Sequence, residues 1–215
     1  CTIAVPPSLA ELSVDFSHDN TLTGVEHVTS LTVQTGSIRQ TSFPALRQLK
    51  WKTFTASDED SPIPHANYAT LTRLELIASV VADGFVVPTG LRELSLNLRE
   101  VQTPANTLAS IAHLSGLQGL TLLYALCEVP VDLSALRITI LETDVTTIER
   151  LPVSLVTCQI ASPGDFDCAA LTRLLHLKVS SWAAVKLTLP RQLEELHVRR
   201  LDVGGSNLKD DQLKR

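Results

Sequence analysis

His176, Glu195 and His197 are the residues whose types best suit metal chemistry: two imidazoles and a carboxylate in neighbouring stretches of chain. On an open strand surface the same three side chains are ordinary solvated groups. That reading is preferred, and no metal site is expected. Asp58, Glu59 and Asp60 form an acidic run with the hard oxygens that calcium takes. The run lies in "TASDEDSPIPHANY" (Thr55 to Tyr68), whose prolines and polar residues read as a solvated loop. Cys1, Cys127, Cys158 and Cys168 contain no CxxC spacing and read as buried free thiols rather than a disulfide framework or a zinc site. None of the nucleophile-elbow, phosphate-loop, zinc-protease or dinucleotide signatures occurs. The chain is expected to be no enzyme and to need no cofactor.

Composition narrows the classes further. Apolar residues are 44% of 215, enough for a folded core, and charged residues are 19%. The net charge of −5 argues against a nucleic-acid partner. No apolar run approaches the ~20 residues of a bilayer span. There is no Asn-x-Ser/Thr acceptor, which together with free thiols points to an intracellular compartment. The chain contains no methionine, so it reads as a processed product or a piece of a longer protein.

What must position any functional side chain is a repeated phrase. "VPPSLAELSV", "VPTGLRELSL", "LPVSLVTCQI" and "LPRQLEELHV" share one pattern, and L-x-x-L-x-L with conservative replacements occurs ten times. The matches start at Leu9, Val28, Leu46, Leu71, Leu91, Leu117, Leu133, Leu155, Leu174 and Leu193, about 20 residues apart. Proline stands three residues before the first leucine at Pro6, Pro88, Pro130, Pro152 and Pro190. It fixes φ and lacks an N–H, which suits the approach to a strand. Within each match the apolar places alternate with polar ones at the period of a strand.

On these residues the chain resembles the leucine-rich-repeat proteins, in particular the short Pro-x-x-Leu repeats of some bacterial effectors and the FNIP-type repeats. The resemblance covers roughly residues 5–205. It implies a single α/β domain over 1–215, a right-handed solenoid. About ten short parallel strands would line a concave sheet face, with mostly extended or 3₁₀ returns and few helices. The family's asparagine place falls on Ser17, Gly36, Phe54, Ser79, Arg99, Ala125, Leu141, Pro163, Trp182 and Leu201, none of them Asn or Cys. The asparagine ladder is therefore missing, and the backbone groups it would satisfy need other partners. The next apolar place is kept at Ile38, Val81, Val101, Cys127 and Val203, which gives Cys127 a packing role, as Cys158 has within its repeat. One short helix is expected in "TPANTLASIAHLSGL", with Asn106 as N-cap and Leu108, Ile111, Ala112 and Leu114 at helical spacing.

Outward places on such a sheet would put Lys50 beside Glu75, Arg73 beside Glu93, and His176 beside Glu195 on adjacent strands. Thr121, Arg137, Gln159, Lys178 and His197 continue the same surface. Ile77, Leu123 and Tyr124 add an apolar patch at the strand ends, with Ala78, Ile140 and Ala161 near it. These residues are the expected binding face. The function expected is non-catalytic: a scaffold that presents this face to a protein partner. The rivals are a parallel β-helix enzyme acting on polysaccharide, and an architectural segment of a larger assembly.

Overall fold

The computed structural model describes residues 2–15, 21–35, 42–52, 69–77, 87–97, 111, 114–123, 131–144, 148–161, 166–181 and 187–200. Its construction follows from the Pro-x-x-Leu phrase, which is a four-residue turn. The N–H of Leu9 donates to the Pro6 carbonyl at 3.0 Å, and Leu155 and Leu193 donate to Pro152 and Pro190 at 3.3 and 3.4 Å. Only the carbonyl of the first residue takes part, so proline's missing N–H costs nothing there. Val25–Val28 makes the same turn without proline, and Phe43–Leu46 makes it with Pro44 at the second place, both closing at 3.1 Å.

Each turn delivers the chain into a strand, and the repeats stack as a solenoid with a ten-stranded parallel sheet and almost no helix. Among the described residues only Ile111 has helical backbone, and it is buried. The rest of the expected helix, Asn106 and Leu108 included, lies outside the described residues apart from Leu114. No helix among the described residues is long and apolar enough to cross a membrane.

The chain divides into two compact units, Cys1–Leu117 and Gln118–Arg215. The first holds β1 (Thr2–Ala4), β2 (Glu11–Val14), β3 (Thr21–Thr23), β4 (Ser30–Val33), β5 (Gln48–Trp51), β6 (Arg73–Leu76) and β7 (Glu93–Asn97). Strands β2, β4, β5, β6 and β7 pair side by side, with Leu12, Leu31, Leu49, Leu74 and Leu94 in one register column. Val14, Val33, Trp51, Leu76 and Leu96 form the next inward column. From β4 to β7 every member of both columns is buried. In β2 Leu12 and Val14 are half-buried, because a leucine of this sheet is covered mainly by the leucines of the strands beside it.

The second unit holds β8 (Gly119–Leu123), β9 (Val131–Asp132), β10 (Ile140–Thr143), β11 (Ile148–Arg150), β12 (Thr157–Ala161), β13 (Phe166–Asp167), β14 (His176–Ser181), β15 (Leu187–Thr188) and β16 (Glu195–Arg200). Here β8, β10, β12, β14 and β16 pair in order, and the inward column is Leu120, Leu141, Cys158, Leu177 and Leu196. One expectation is corrected by this register. The seventh repeat runs from Ile138 through Leu141 to Thr143, not from Leu133 through Leu136 to Ile138. Leu133 and Leu136 are buried, but they bracket a turn that ends four residues before β10 begins. Leu141, placed by the motif at the asparagine site, is a core leucine. Thr143 occupies the sixth, normally apolar, place and is only 2% exposed.

The returns carry short parallel pairs, β1 with β3, β9 with β11 and β13 with β15. These agree with the extended returns expected. Two of them end on an aspartate that organises the following turn. Asp132 Oδ1 accepts from Ser134 N–H at 2.8 Å, and Asp167 Oδ1 from Ala169 N–H at 3.0 Å. Hydrogen bonds from the Ser134 hydroxyl and N–H hold the Asp132 carboxyl below its usual range.

A mixed polar ladder is present at the corner before the strands; the asparagine places, which follow the strands, lie outside the described residues apart from Leu141. Within each unit the second residue of a repeat offers its carbonyl to two N–H groups of the repeat that follows it: Ala10 accepts from Thr29 and Ser30 at 2.9 and 3.1 Å, and Gln118 from Thr139 and Ile140 at 2.8 and 3.1 Å. Thr29, Thr72 and Thr139 add hydroxyl bonds to the same carbonyl column, on Ala10, Arg47 and Gln118 at 3.3, 3.1 and 3.2 Å. One place before the first leucine, Thr70 and Ser154 each donate at 2.7 Å to the Leu46 and Ile138 carbonyls. His27 and Gln192 reach the turn carbonyls of Pro6 and Leu171 at 2.8 and 2.7 Å. These side chains add to carbonyls most of which already accept from backbone: Ala10, Arg47 and Gln118 each accept from two N–H groups, and Pro6 and Leu171 from one.

Gly24 marks the tightest point of the first return. Its φ is +71°, and a Cβ there would lie 2.9 Å from the Val5 carbonyl oxygen. Both the left-handed backbone and the close Val5 backbone just after β1 demand glycine. Gly24→Ala is expected to lower the unfolding free energy by more than about 1 kcal/mol, measured by urea denaturation. An unchanged midpoint would show that this return relaxes freely.

Candidate functional site

Alternation in the strands decides which side chains form the candidate site. With the fourth and sixth residues of each repeat inward, the third, fifth and seventh stand on the opposite face. In the first unit the third-place column is Glu11, Ser30, Gln48, Arg73 and Glu93, and the fifth is Ser13, Thr32, Lys50, Glu75 and Ser95. The side chains pair as the register requires. Lys50 Nζ lies 2.6 Å from Glu75 Oε1, with side chains 39% and 23% exposed, and Arg73 lies 3.1 Å from Glu93. Such open pairs each contribute about 0.2–1 kcal/mol. Gln34 donates to Ser13 at 3.1 Å one column further, where Thr35 also bonds Asp15. Ser30, Thr32, Gln48, Lys50, Arg73 and Glu75 surround a shallow recess of about 260 Å³ on this face. A second recess of about 420 Å³ lies at the corner before the strands, lined by Thr29, Pro44, Ala45, Arg47 and Thr70.

In the second unit the fifth-place column is Thr121, Glu142, Gln159, Lys178 and His197. Gln159 donates to Glu142 Oε1 at 2.9 Å. Glu195 is held between two imidazoles, with His176 Nδ1 3.1 Å from Oε2 and His197 Nε2 2.7 Å from Oε1. These hydrogen bonds, His197 first, keep its carboxyl below the usual range. Each of these two nitrogens is directed at its own carboxylate oxygen rather than at a common point. Among the described residues no group of three or more His, Cys, Asp or Glu is arranged to hold a metal. The cluster is a hydrogen-bonded set on an open strand pair.

The expected pairs Lys50–Glu75, Arg73–Glu93 and His176–Glu195 are all present. Thr121, Gln159, Lys178 and His197 stand in their expected column, while Ile77 and Leu123 are half-buried at the ends of β6 and β8. Arg137 is the exception. It is exposed but precedes Ile138 outside any strand, because the seventh repeat begins five residues later than its motif suggested. Glu142 takes the sheet position that Arg137 was expected to fill, which replaces a cation by an anion. Ile140 likewise moves from the strand end to the third column, where it is 53% exposed between Gly119 and Thr157. The signal that could have found Glu142 was Ile138-x-x-Leu141, hidden by the polar Thr143 at the sixth place. Ala78 and Tyr124 of the apolar patch lie outside the described residues, as do Cys1, Cys127 and the acidic run Asp58–Asp60.

Cys158 and Cys168 are free thiols in the interior. Burial is the main cause that pushes Cys158 up to about 12 and Cys168 to about 11. Neither has the activating base or exposure that a nucleophile requires. Trp51 is fully buried in the sixth-place column of its unit, a packing residue rather than a ligand platform. No protein-family model and no curated protein matches this chain.

Proposed function

We propose that the chain is a leucine-rich-repeat solenoid acting as a non-catalytic protein-interaction module, with its sheet face presented to a macromolecular partner. The observation that supports this reading is the fixed grid of outward third- and fifth-place side chains. Parallel ladders hold them about 4.8 Å apart across strands. The fold-level analogy supplies the rest: solenoids use such extended surfaces for recognition. A protein partner fits this surface better than nucleic acid does, given a net charge of −5.

Affinity capture from an extract of the native source tests the proposal, with Lys50→Glu in the first unit and Gln159→Lys in the second run in parallel. Lys50→Glu sets a carboxylate against Glu75, and Gln159→Lys alters the Glu142 pair. At least one of them is expected to cut capture of a partner tenfold or more while circular dichroism stays unchanged. If both folded variants retain every partner, the sheet face is not the binding surface. Reproducible release of reducing ends from a polysaccharide would overturn the non-catalytic reading.

A further inference from the structure

We propose that the face of the second unit over β14 and β16 takes an extended acidic polypeptide segment, laid along these strands with carboxylates at every second residue. The inference rests on the sheet face being the binding surface and names the partner chemistry for one part of it. Strand β14 presents His176, Lys178 and Ser180, and β16 presents Glu195, His197 and Arg199 directly beside them. Leu177 and Val179 between the β14 residues are buried, so the alternation is strict there.

The charge on this grid is not cancelled internally. In the first unit Lys50 and Arg73 are each matched by a glutamate on the next strand. Here Lys178 and Arg199 are exposed, and among the described residues neither has a carboxylate partner. The one carboxylate within the grid, Glu195, already uses one oxygen on His176 and the other on His197. The grid thus holds two permanent cations against one carboxylate, a net positive charge on a chain whose net charge is −5.

Spacing favours an extended polypeptide as the occupant. Alternate residues of a strand lie about 6.6–6.8 Å apart, and alternate residues of an extended peptide have the same repeat. Carboxylates at positions i and i+2 of such a segment, lying slightly across the ladder, meet Lys178 on β14 and Arg199 on β16, which are one strand and two residues apart. A nucleic-acid strand gains its affinity from many neutralised phosphates. This grid offers two permanent cations in a chain of opposite overall sign.

Fluorescence anisotropy with the full chain tests the proposal, using a labelled decapeptide of alternating Glu and Thr at low salt. A Lys/Thr decapeptide and a single-stranded decanucleotide serve as comparison probes. Saturable binding of the Glu/Thr peptide is expected, weakening as salt rises, with no binding of the Lys/Thr peptide. Lys178→Glu combined with Arg199→Glu is expected to weaken it at least tenfold, and the Gln/Gln pair to weaken it less. Arg92→Glu, at an exposed second-place arginine of the first unit away from the sheet face, is expected to leave it unchanged. Absence of saturable binding, retention by the folded Glu/Glu variant, or equal affinity for the oligonucleotide would each overturn the proposal. A native partner lost on Lys50→Glu but kept by the Lys178→Glu/Arg199→Glu variant would overturn it too, while leaving the sheet face as the binding surface.

Discussion

Leu74→Ala is expected to lower the unfolding free energy by about 2–5 kcal/mol, and Leu9→Ala by about 1 kcal/mol or less. Leu74 is wholly buried in β6, with Leu49 and Leu94 in register on its two sides. Truncating it removes apolar burial and leaves a cavity that the flanking strands cannot close without breaking their own ladders. Leu9 belongs to the same motif but is 38% exposed, so part of its side chain is already in water. Urea titration of both variants, with the slope compared as well as the midpoint, separates lost stability from a change in the unfolded chain. A Leu74→Ala protein within 1 kcal/mol of its parent would mean that the leucine column is not a continuous core.

The second large effect concerns the thiols. In a background with Cys1 and Cys127 changed to serine, the native protein at pH 8 is expected to react with a disulfide reagent at least ~100-fold more slowly than a free peptide thiol. Full reaction should follow in denaturant. The thiolate is the reacting form, and burial raises Cys158 to about 12 and Cys168 to about 11. The same shifts carry a pH dependence. A free thiol ionises near 8.5, so above that value the unfolded chain has lost protons that the folded chain keeps. Stability supplied by the neutral thiols is therefore complete below about pH 8.5 and falls as pH rises toward 11. Cys158→Ala/Cys168→Ala should flatten this alkaline slope. Rapid labelling of the native thiols at pH 8 would show that the interior around Cys158 and Leu177 opens readily.

The repeat and the sheet were legible in the residues because a parallel solenoid writes its core as a fixed spacing. Leucines at the first, fourth and sixth places predicted nine of the ten register positions, and the charge pairs Lys50–Glu75 and Arg73–Glu93 followed from that register alone. The seventh repeat was not legible. Leu133, Leu136 and Ile138 satisfy the apolar pattern equally well, and a one-dimensional pattern cannot distinguish a buried turn residue from a buried strand residue. Hydrogen bonding decided the matter. The Gln118 carbonyl accepts from Thr139 and Ile140, which sets Leu141 opposite Leu120 and leaves Arg137 ahead of the strand.

The ladder at the strand corner shows the same division. The absence of asparagine after the strands was visible in the sequence. Which side chains bond the carbonyls at the corner before the strands was not, because threonine, serine, histidine and glutamine all serve, at Thr29, Thr70, Ser154, His27 and Gln192, and reach different carbonyls. Their common property is position beside a carbonyl of the preceding repeat, a relation between residues 16–24 apart that exists only once the coils are stacked.

By itself, then, the order of residues determined a stacked, parallel, leucine-lined architecture and most of the side chains on its outer face. Apolar periodicity is a local property, and burial rewards only one way of satisfying it. Tertiary structure alone decided the frame of the seventh strand and the exchange of Arg137 for Glu142 on the face. Each of these depends on which strand lies alongside and at what register, and those are distances between residues far apart in the chain.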